Sequence, residues 1–463
     1  MKTLRAILVV TIVGCLPSAQ AMAQQTASSS LAQPLLRPAA LAPDGYTAYT
    51  AAQADTGAAP PAPGSAPAAK PAEPKAEEKQ AEEKKEEKKE GEEEKKEEEE
   101  KPWKLFDGPW LECHRIDMRG WLDQSFTWNP NNPADRFNGP VGYNDRSNEY
   151  ELNQLYLITE RVTKTDECHP IDVGGRLDLL YGTDWRYARA TGLDTEWGNR
   201  FYGLALPNMY ADVAINNLVL RGGHFLAPCG YESVMAPENF FLSHSYSFLY
   251  GQPTTLSGAM GIYKLNDQWS FNAGIDTGWN DWVAPNDKIS YLFGCNWTSK
   301  DQKRTLAFEM FIGDQIDVPS TRTHYCLVFT QKLGEKWQYA LENNVGYETN
   351  SHLLPNGNRT HGDWVGVSNY LFRTLNDQWS LGFRCEWFGD DDGTVVGRVG
   401  PPAVTPVPGD YLDLAVGLNY KPNKNVVWRT EWRYDHSTAD VFEHGTTPDK
   451  DQFLWSIDAI VRF

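Results

Sequence analysis

The stretch Phe453-Leu454-Trp455-Ser456-Ile457-Asp458-Ala459-Ile460-Val461-Arg462-Phe463 decides how the rest of the chain is read. Phe453, Trp455, Ile457, Ala459, Val461 and Phe463 alternate with Leu454, Ser456, Asp458, Ile460 and Arg462. Successive side chains of a β-strand point to opposite faces, so the first set forms one apolar face and the second carries the polar groups. That is the pattern of a strand with one face toward lipid and the other toward a polar lumen.

The segments before it repeat the pattern. Trp428, Thr430, Trp432 and Tyr434 alternate with Arg429, Glu431, Arg433 and Asp435. Trp379, Leu381, Phe383, Cys385 and Trp387 alternate with Ser380, Gly382, Arg384 and Glu386, and Leu412, Leu414, Val416, Leu418 and Tyr420 share a third apolar face. An Arg or Lys facing lipid at the bilayer midplane costs about 2–4 kcal/mol, so these charges are expected to face inward. A soluble antiparallel sheet also alternates, but its apolar face is mostly Val, Ile and Leu. Here that face is heavy with Trp, Tyr and Phe near the strand ends, as an interfacial girdle would be. The chain holds 17 Trp, 21 Tyr and 19 Phe.

One phrase recurs between alternating runs: Lys264-Leu-Asn-Asp-Gln-Trp269, Lys332-Leu-Gly-Glu-Lys-Trp337 and Leu375-Asn-Asp-Gln-Trp379, with looser copies at 299–304 and 421–425. Each reads as a tight hairpin turn. With these as anchors, sixteen strands are expected near 115–127, 149–163, 172–183, 209–216, 218–225, 254–264, 268–279, 289–298, 304–312, 322–333, 337–348, 363–374, 378–388, 410–421, 425–435 and 452–463. Links from even to odd strands are short, and those from odd to even are often long, as at 128–148, 184–208, 226–253 and 389–409. Short periplasmic turns and long external loops define an outer-membrane, antiparallel up-and-down β-barrel. An even strand count leaves both barrel termini periplasmic.

The beginning of the chain agrees with export. Lys2 and Arg5, the apolar run Ala6–Leu16 and the small-x-small site Ala21-Met22-Ala23 lay out a signal peptide over 1–23. The alternative is a lipoprotein box, Ile12-Val13-Gly14-Cys15, with Cys15 lipidated. Residues 24–72 are Ala/Pro-rich and too poor in apolar groups to fold alone. Residues 73–101 are almost pure Glu and Lys without an apolar heptad, a periplasmic spacer that is either disordered or a single solvated helix. A cell-wall-binding arm is the sharper alternative. The barrel domain is expected over 102–463.

The formal charge of −19 disfavours nucleic acid as a partner, and residues 102–463 hold 30 Lys+Arg against 45 Asp+Glu. Cys113, Cys168, Cys229, Cys295, Cys326 and Cys385 show no metal-type spacing. They read as small apolar residues on strand faces, although disulfides whose pairing the sequence does not reveal are open to them. Ser243-His244-Ser245 lacks the partners of a catalytic triad, so no enzyme activity is expected. Asp390-Asp391-Asp392 lacks the EF-hand spacing and reads as a solvated turn rather than a Ca²⁺ site. No cofactor or metal is expected.

Asn153-Gln-Leu-Tyr156, Arg221-Gly-Gly-His-Phe225 with Pro228-x-Gly230-Tyr-Glu232, and the terminal aromatic strand together resemble the OmpL-like group of outer-membrane β-barrel porins. The Lys/Glu-rich, Ala/Pro-rich leader looks like that of the group's planctomycete members. The resemblance covers roughly residues 105–463 and implies passage of small solutes across the outer membrane. Phe463 resembles the signal read by the outer-membrane assembly machinery. In general porins, which this arrangement resembles, the loop after the fifth strand folds into the lumen. Here that loop, 226–253, carries Tyr231, Glu232, Glu238, His244 and Tyr246, groups able to line an eyelet. The alternative is an external loop packed on its own aromatics. Across from it the wall offers Arg384, Arg429 and Arg433 with Asp276, Glu309, Glu342, Glu386 and Glu431, and opposed charges favour polar solutes. The acid excess points toward cations. A homotrimer is expected only by analogy. The expected function is passive diffusion of small hydrophilic solutes or ions. The competing reading is a plugged structural or adhesive barrel acting through external loops or the acidic leader.

Overall fold

The computed structural model describes residues 103–284, 287–315, 320–353, 358–397 and 406–463. The signal peptide, the lipobox at Cys15, the Ala/Pro-rich segment and the Glu/Lys-rich spacer lie outside them.

Sixteen strands traverse the fold: β1 (Asp117–Trp128), β2 (Glu149–Arg161), β3 (Ile171–Gly182), β4 (Met209–Ile215), β5 (Leu218–Leu226), β6 (Thr255–Lys264), β7 (Trp269–Asp276) and β8 (Ser290–Thr298), then β9 (Arg304–Asp314), β10 (Thr321–Leu333), β11 (Trp337–Leu353), β12 (Arg359–Thr374), β13 (Trp379–Asp390), β14 (Gly409–Tyr420), β15 (Val426–Ser437) and β16 (Asp451–Arg462). Each pairs antiparallel with its neighbours in sequence, and β16 returns to β1 from Trp121 opposite Arg462 to Trp128 opposite Trp455. Gly120 and Phe463 add two backbone hydrogen bonds of 2.9 Å to that seam. The sheet therefore closes, leaving no unpaired edge in the bilayer. A short piece, Gly203–Ala205, extends the sheet at the end of β3.

The expected faces are the observed ones. Phe453, Trp432, Leu414, Val416 and Phe383 are exposed on the outer surface, whereas Asp458, Arg433, Asp413 and Arg384 are buried inside. Tyr420 stacks on Trp379 with ring centroids 4.5 Å apart near one rim. The recurrent turn phrase also has a cause. Asn266 Oδ1 accepts hydrogen bonds from the backbone N–H groups of Gln268 and Trp269, and Asn376 Oδ1 does the same for Gln378 and Trp379. The asparagine closes the turn with its own side chain, a role Asp and Asn share in short loops.

The structure departs from the sequence expectation most plainly in two places. β11 and β12 run past the expected ends at 348 and 363, because pairing resumes at His352 opposite Thr360 after an irregularity beyond Glu348. In β2 the alternation breaks. Asp123 pairs with Gln154 and Gln124 with Leu152, so Asn153 is a bulge residue. The extra residue turns both Asn153 and Gln154 inward, where each is fully buried.

Val416 sits mid-strand on the outer face, between Phe383 and Trp432. Val416→Arg is expected to cost about 2–4 kcal/mol, read as a lower urea midpoint for folding into lipid vesicles, with Val416→Leu nearly neutral.

Candidate functional site

Residues 227–254, between β5 and β6, turn into the barrel instead of over its rim. A chain leaving the sheet carries N–H and C=O groups that need new partners once buried. The inward-facing side chains of the wall supply them. The Glu386 carboxylate accepts from Tyr246 N–H at 2.6 Å and Ser247 N–H at 2.7 Å. Glu431 accepts from Leu242 and Ser243 N–H at 3.0 and 3.1 Å, and from the Ser243 hydroxyl. Glu342 accepts from Tyr231 N–H at 3.0 Å. Within the loop, Glu232 accepts from Ser245 N–H at 2.9 Å.

The arginines take the carbonyls. Arg429 Nη1 donates to the Ala236, Asn239 and Phe241 oxygens, each at 3.0 Å. Arg433 donates to His244 O and Arg384 to Ser243 O, both at 2.7 Å. Their charges are balanced alongside: Arg384 pairs with Asp413 at 2.5 Å and Glu232 at 3.1 Å, Arg429 with Asp458 at 2.7 Å and Arg433 with Asp435 at 2.7 Å. Gln154 donates to Val234 O at 2.7 Å, and Trp364 Nε1 to Gly251 O at 3.0 Å.

Packing completes the clamp. Phe240 and Phe241 lie edge to face at 5.0 Å, against Phe372. Beneath them, Gly382 on β13 pairs with Gly417 on β14, and a Cβ at either position would collide with these rings. Gly230 has φ +88, a backbone state that other residues adopt with strain, and its missing Cβ leaves room for the Gln252 amide. His244 is stacked on Tyr143 of the 129–148 loop with centroids 3.8 Å apart. Burial pulls its pKa down to about 4, so the ring stays neutral.

Between the loop and the opposite wall lies a cavity of about 50 Å³, lined by Arg176, Tyr210 and Arg221 on β3–β5 and by Cys229, Glu232 and Met235 on the loop. Arg221 lies 3.6 Å over the Tyr210 ring and pairs with Asp212 at 2.9 Å. Arg176 pairs with Asp178 at 2.7 Å.

A family described as "putative beta-barrel porin-2, OmpL-like" matches residues 115–463. The chain belongs to this family. As an OmpL-like porin it is an outer-membrane barrel of the channel-forming type. Its fold is similar to that of the outer-membrane channel DcaP of Acinetobacter baumannii (12% identity, TM-score 0.50, 75% of this chain and 97% of that one). It is likewise similar to the trimer form of OmpT of Vibrio cholerae (12%, 0.50, 75% and 99%) and to OprB of Pseudomonas putida (10%, 0.50, 76% and 96%). No curated protein matches the sequence.

In this OmpL-like porin the candidate residues separate into groups. Glu232, His244, Tyr246, Glu342, Arg384, Glu386, Arg429, Glu431 and Arg433 meet in the clamp, directly bonded to or part of the loop. Glu238 is half-buried in the loop, within electrostatic reach of Lys421 and Arg462. Asp276 and Glu309 sit apart on β7 and β9, where they accept from Gly278 N–H and from the Asn272 amide. Gln154, Asp413, Asp435 and Trp364 also belong to the clamp. Period-2 alternation places Asp435 on the inner face, whereas the bulge at Asn153 conceals the inward turn of Gln154. In Ser243-His244-Ser245, His244 Nε2 faces Ser233 O at 3.0 Å and the serines bond Glu431 and Glu232, so the three are structural. Asp390 accepts three backbone N–H groups, from Thr394, Val395 and Val396. No group of three or more metal-type ligands occurs among the described residues.

Removing one member should release the loop before the barrel. Glu386→Ala strands two buried N–H groups, a cost of about 1–3 kcal/mol each. Limited proteolysis is expected to cut within 227–254 while the barrel keeps its β circular dichroism. His244 adds a pH signature. Its folded pKa lies below that of the unfolded chain, so protons favour unfolding as pH falls from about 6.5 to 4. The urea-stability difference between the native protein and His244→Phe is expected to shift against the native protein across that interval.

Proposed function

We propose that this OmpL-like porin is a passive diffusion channel for small hydrophilic solutes or ions, constricted by the loop 227–254. One observation carries the reading: the inner wall is built of charged and amide side chains that hold the loop 227–254 inside a closed sixteen-strand cylinder. A cylinder of that size is wider than its own side chains fill. The solute path runs between the loop and β3–β5, past Arg176, Tyr210 and Arg221. Arg384, Arg429, Arg433, Glu342, Glu386 and Glu431 shape the eyelet through the loop they hold, and Glu232, Glu238, His244 and Tyr246 are its loop-borne members. Asp276 and Glu309 line the vestibule beside it. Buried acids outnumber buried arginines, which supports a preference for cations. The trimer form of the OmpT neighbour supports a homotrimer. In this reading the Glu/Lys-rich leader is periplasmic, and Phe463, held at the barrel seam, is the residue met by the assembly machinery.

The second reading, a plugged structural barrel, is favoured by the nearly complete burial of the clamp and the small cavity beside it. Single-channel recording of the full protein in planar bilayers separates the two. Stepwise ohmic openings are expected, with a reversal potential of cation-selective sign in a salt gradient. Electrical silence from protein shown to be folded by circular dichroism sinks the channel reading. Glu386→Ala/Glu431→Ala, which loosens the loop, is expected to raise the unitary conductance or its fluctuation.

A further inference from the structure

Six cysteines lie among the described residues, all as free thiols, and they are not distributed alike. Cys295 and Cys385 sit on strands with their neighbours Phe293, Trp297, Phe383 and Trp387 on the outer face, and Cys113 and Cys168 are exposed outside the strands. Only Cys229 and Cys326 point inward, and they meet each other. Cys229 belongs to the lumen loop and Cys326 is fully buried on β10.

Cys229 packs against the apolar cluster to which Cys326 belongs, and the two thiols lie close enough to interact. A ring of polar groups frames the pair. Cys229 Sγ lies 3.5 Å from Gln252 Oε1, Gln252 Oε1 accepts from Asn344 Nδ2 at 3.1 Å, and Asn344 Nδ2 also donates to Glu342 Oε1 at 3.3 Å. Glu342 Oε1 in turn lies 3.8 Å from Cys326 Sγ. The Gly230 turn follows Cys229 directly, with φ +88 and the Gln252 amide where a Cβ would stand. Apolar packing alone would place a small residue here but would not require sulfur on both sides of one contact.

We propose that Cys229 and Cys326 are joined by a disulfide that ties the lumen loop covalently to β10. The chain is exported, and the envelope is an oxidising compartment where disulfides persist. The oxidant is a protein or small-molecule disulfide of that compartment. One cysteine thiolate attacks it, forming a mixed disulfide and releasing one thiol. The second thiolate then displaces the other thiol and forms the Cys229–Cys326 bond. Two electrons and the two thiol protons leave with the reduced oxidant. The exchange occurs as the loop docks, before the wall covers Cys326. The link fixes the beginning of the loop, Pro228–Glu232, where the Glu386 and Glu431 contacts of its middle do not reach. It does not depend on whether the lumen conducts.

Peptide mapping tests it directly. The full protein is taken from outer membranes without reductant, denatured in iodoacetamide, digested and analysed by mass spectrometry. The expected result is one linked peptide pair containing Cys229 and Cys326, with Cys113, Cys168, Cys295 and Cys385 alkylated. In Cys229→Ser, Cys326 is expected to become alkylated and join no other cysteine. Both thiols alkylated in the native protein, even after oxidation with copper phenanthroline, would overturn the proposal. So would either cysteine linked elsewhere. If a serine variant does not fold, the native map alone decides.

Discussion

The structure depends on one constraint: an irregular segment inside a barrel must find a partner for every backbone N–H and C=O it buries. Strands satisfy these groups by pairing, but residues 227–254 have no strand beside them. The wall answers with opposite chemistries in alternation. Carboxylates on β11, β13 and β15 accept N–H groups of the loop, and arginines on β13 and β15 donate to its carbonyls. Burying a guanidinium or a carboxylate is costly unless it is paired and hydrogen-bonded on all sides. Arg384 meets that condition through Asp413, Glu232, Ser243 O and Ser243 Oγ together. The charges are therefore inseparable from the loop. Replacing one partner strands another, which is why the clamp behaves as a unit.

How much of this the sequence discloses follows from the period-2 rule. Where a strand alternates cleanly, as in β13, β15 and β16, its inward set reads directly as Arg384, Glu386, Arg429, Glu431, Arg433 and Asp458. The turns are as legible, because Asn266 and Asn376 act within three residues of themselves. Gln154 was hidden because a bulge at Asn153 reverses the alternation for one step, and nothing local announces the bulge. The ends of β11 and β12 were obscured for a similar reason, since pairing lapses after Glu348 and then resumes. Which wall faces which part of the loop is a long-range fact. Glu342 and Glu309 look alike on their strands, yet one holds Tyr231 and the other only Asn272.

The glycines show how the same wall makes room. Gly382 and Gly417 fall on the inward face, where period-2 reading sees only missing side chains. Their meaning appears once Phe240 and Phe241 are placed over them. Two aromatic rings from the loop fill the space that two wall side chains would otherwise occupy. Interiors at crystal-like density tolerate neither an unfilled space nor an extra methyl group there. The loop is thereby fixed in position by shape as well as by charge.

That division of labour makes the lumen asymmetric. The wall from β11 through β15 spends its charges on the loop and is covered by it. On the other side, Met260, Ile262, Leu292 and Phe311 form an apolar patch on β6, β8 and β9, next to Arg176, Tyr210 and Arg221 on β3–β5. The side of the lumen beside the loop thus presents paired arginines and a tyrosine on one flank and aliphatic side chains on the next. The groups that the sequence marks most strongly by charge are spent on holding the loop, and the arginine and tyrosine side chains of β3–β5 face the cavity beside it.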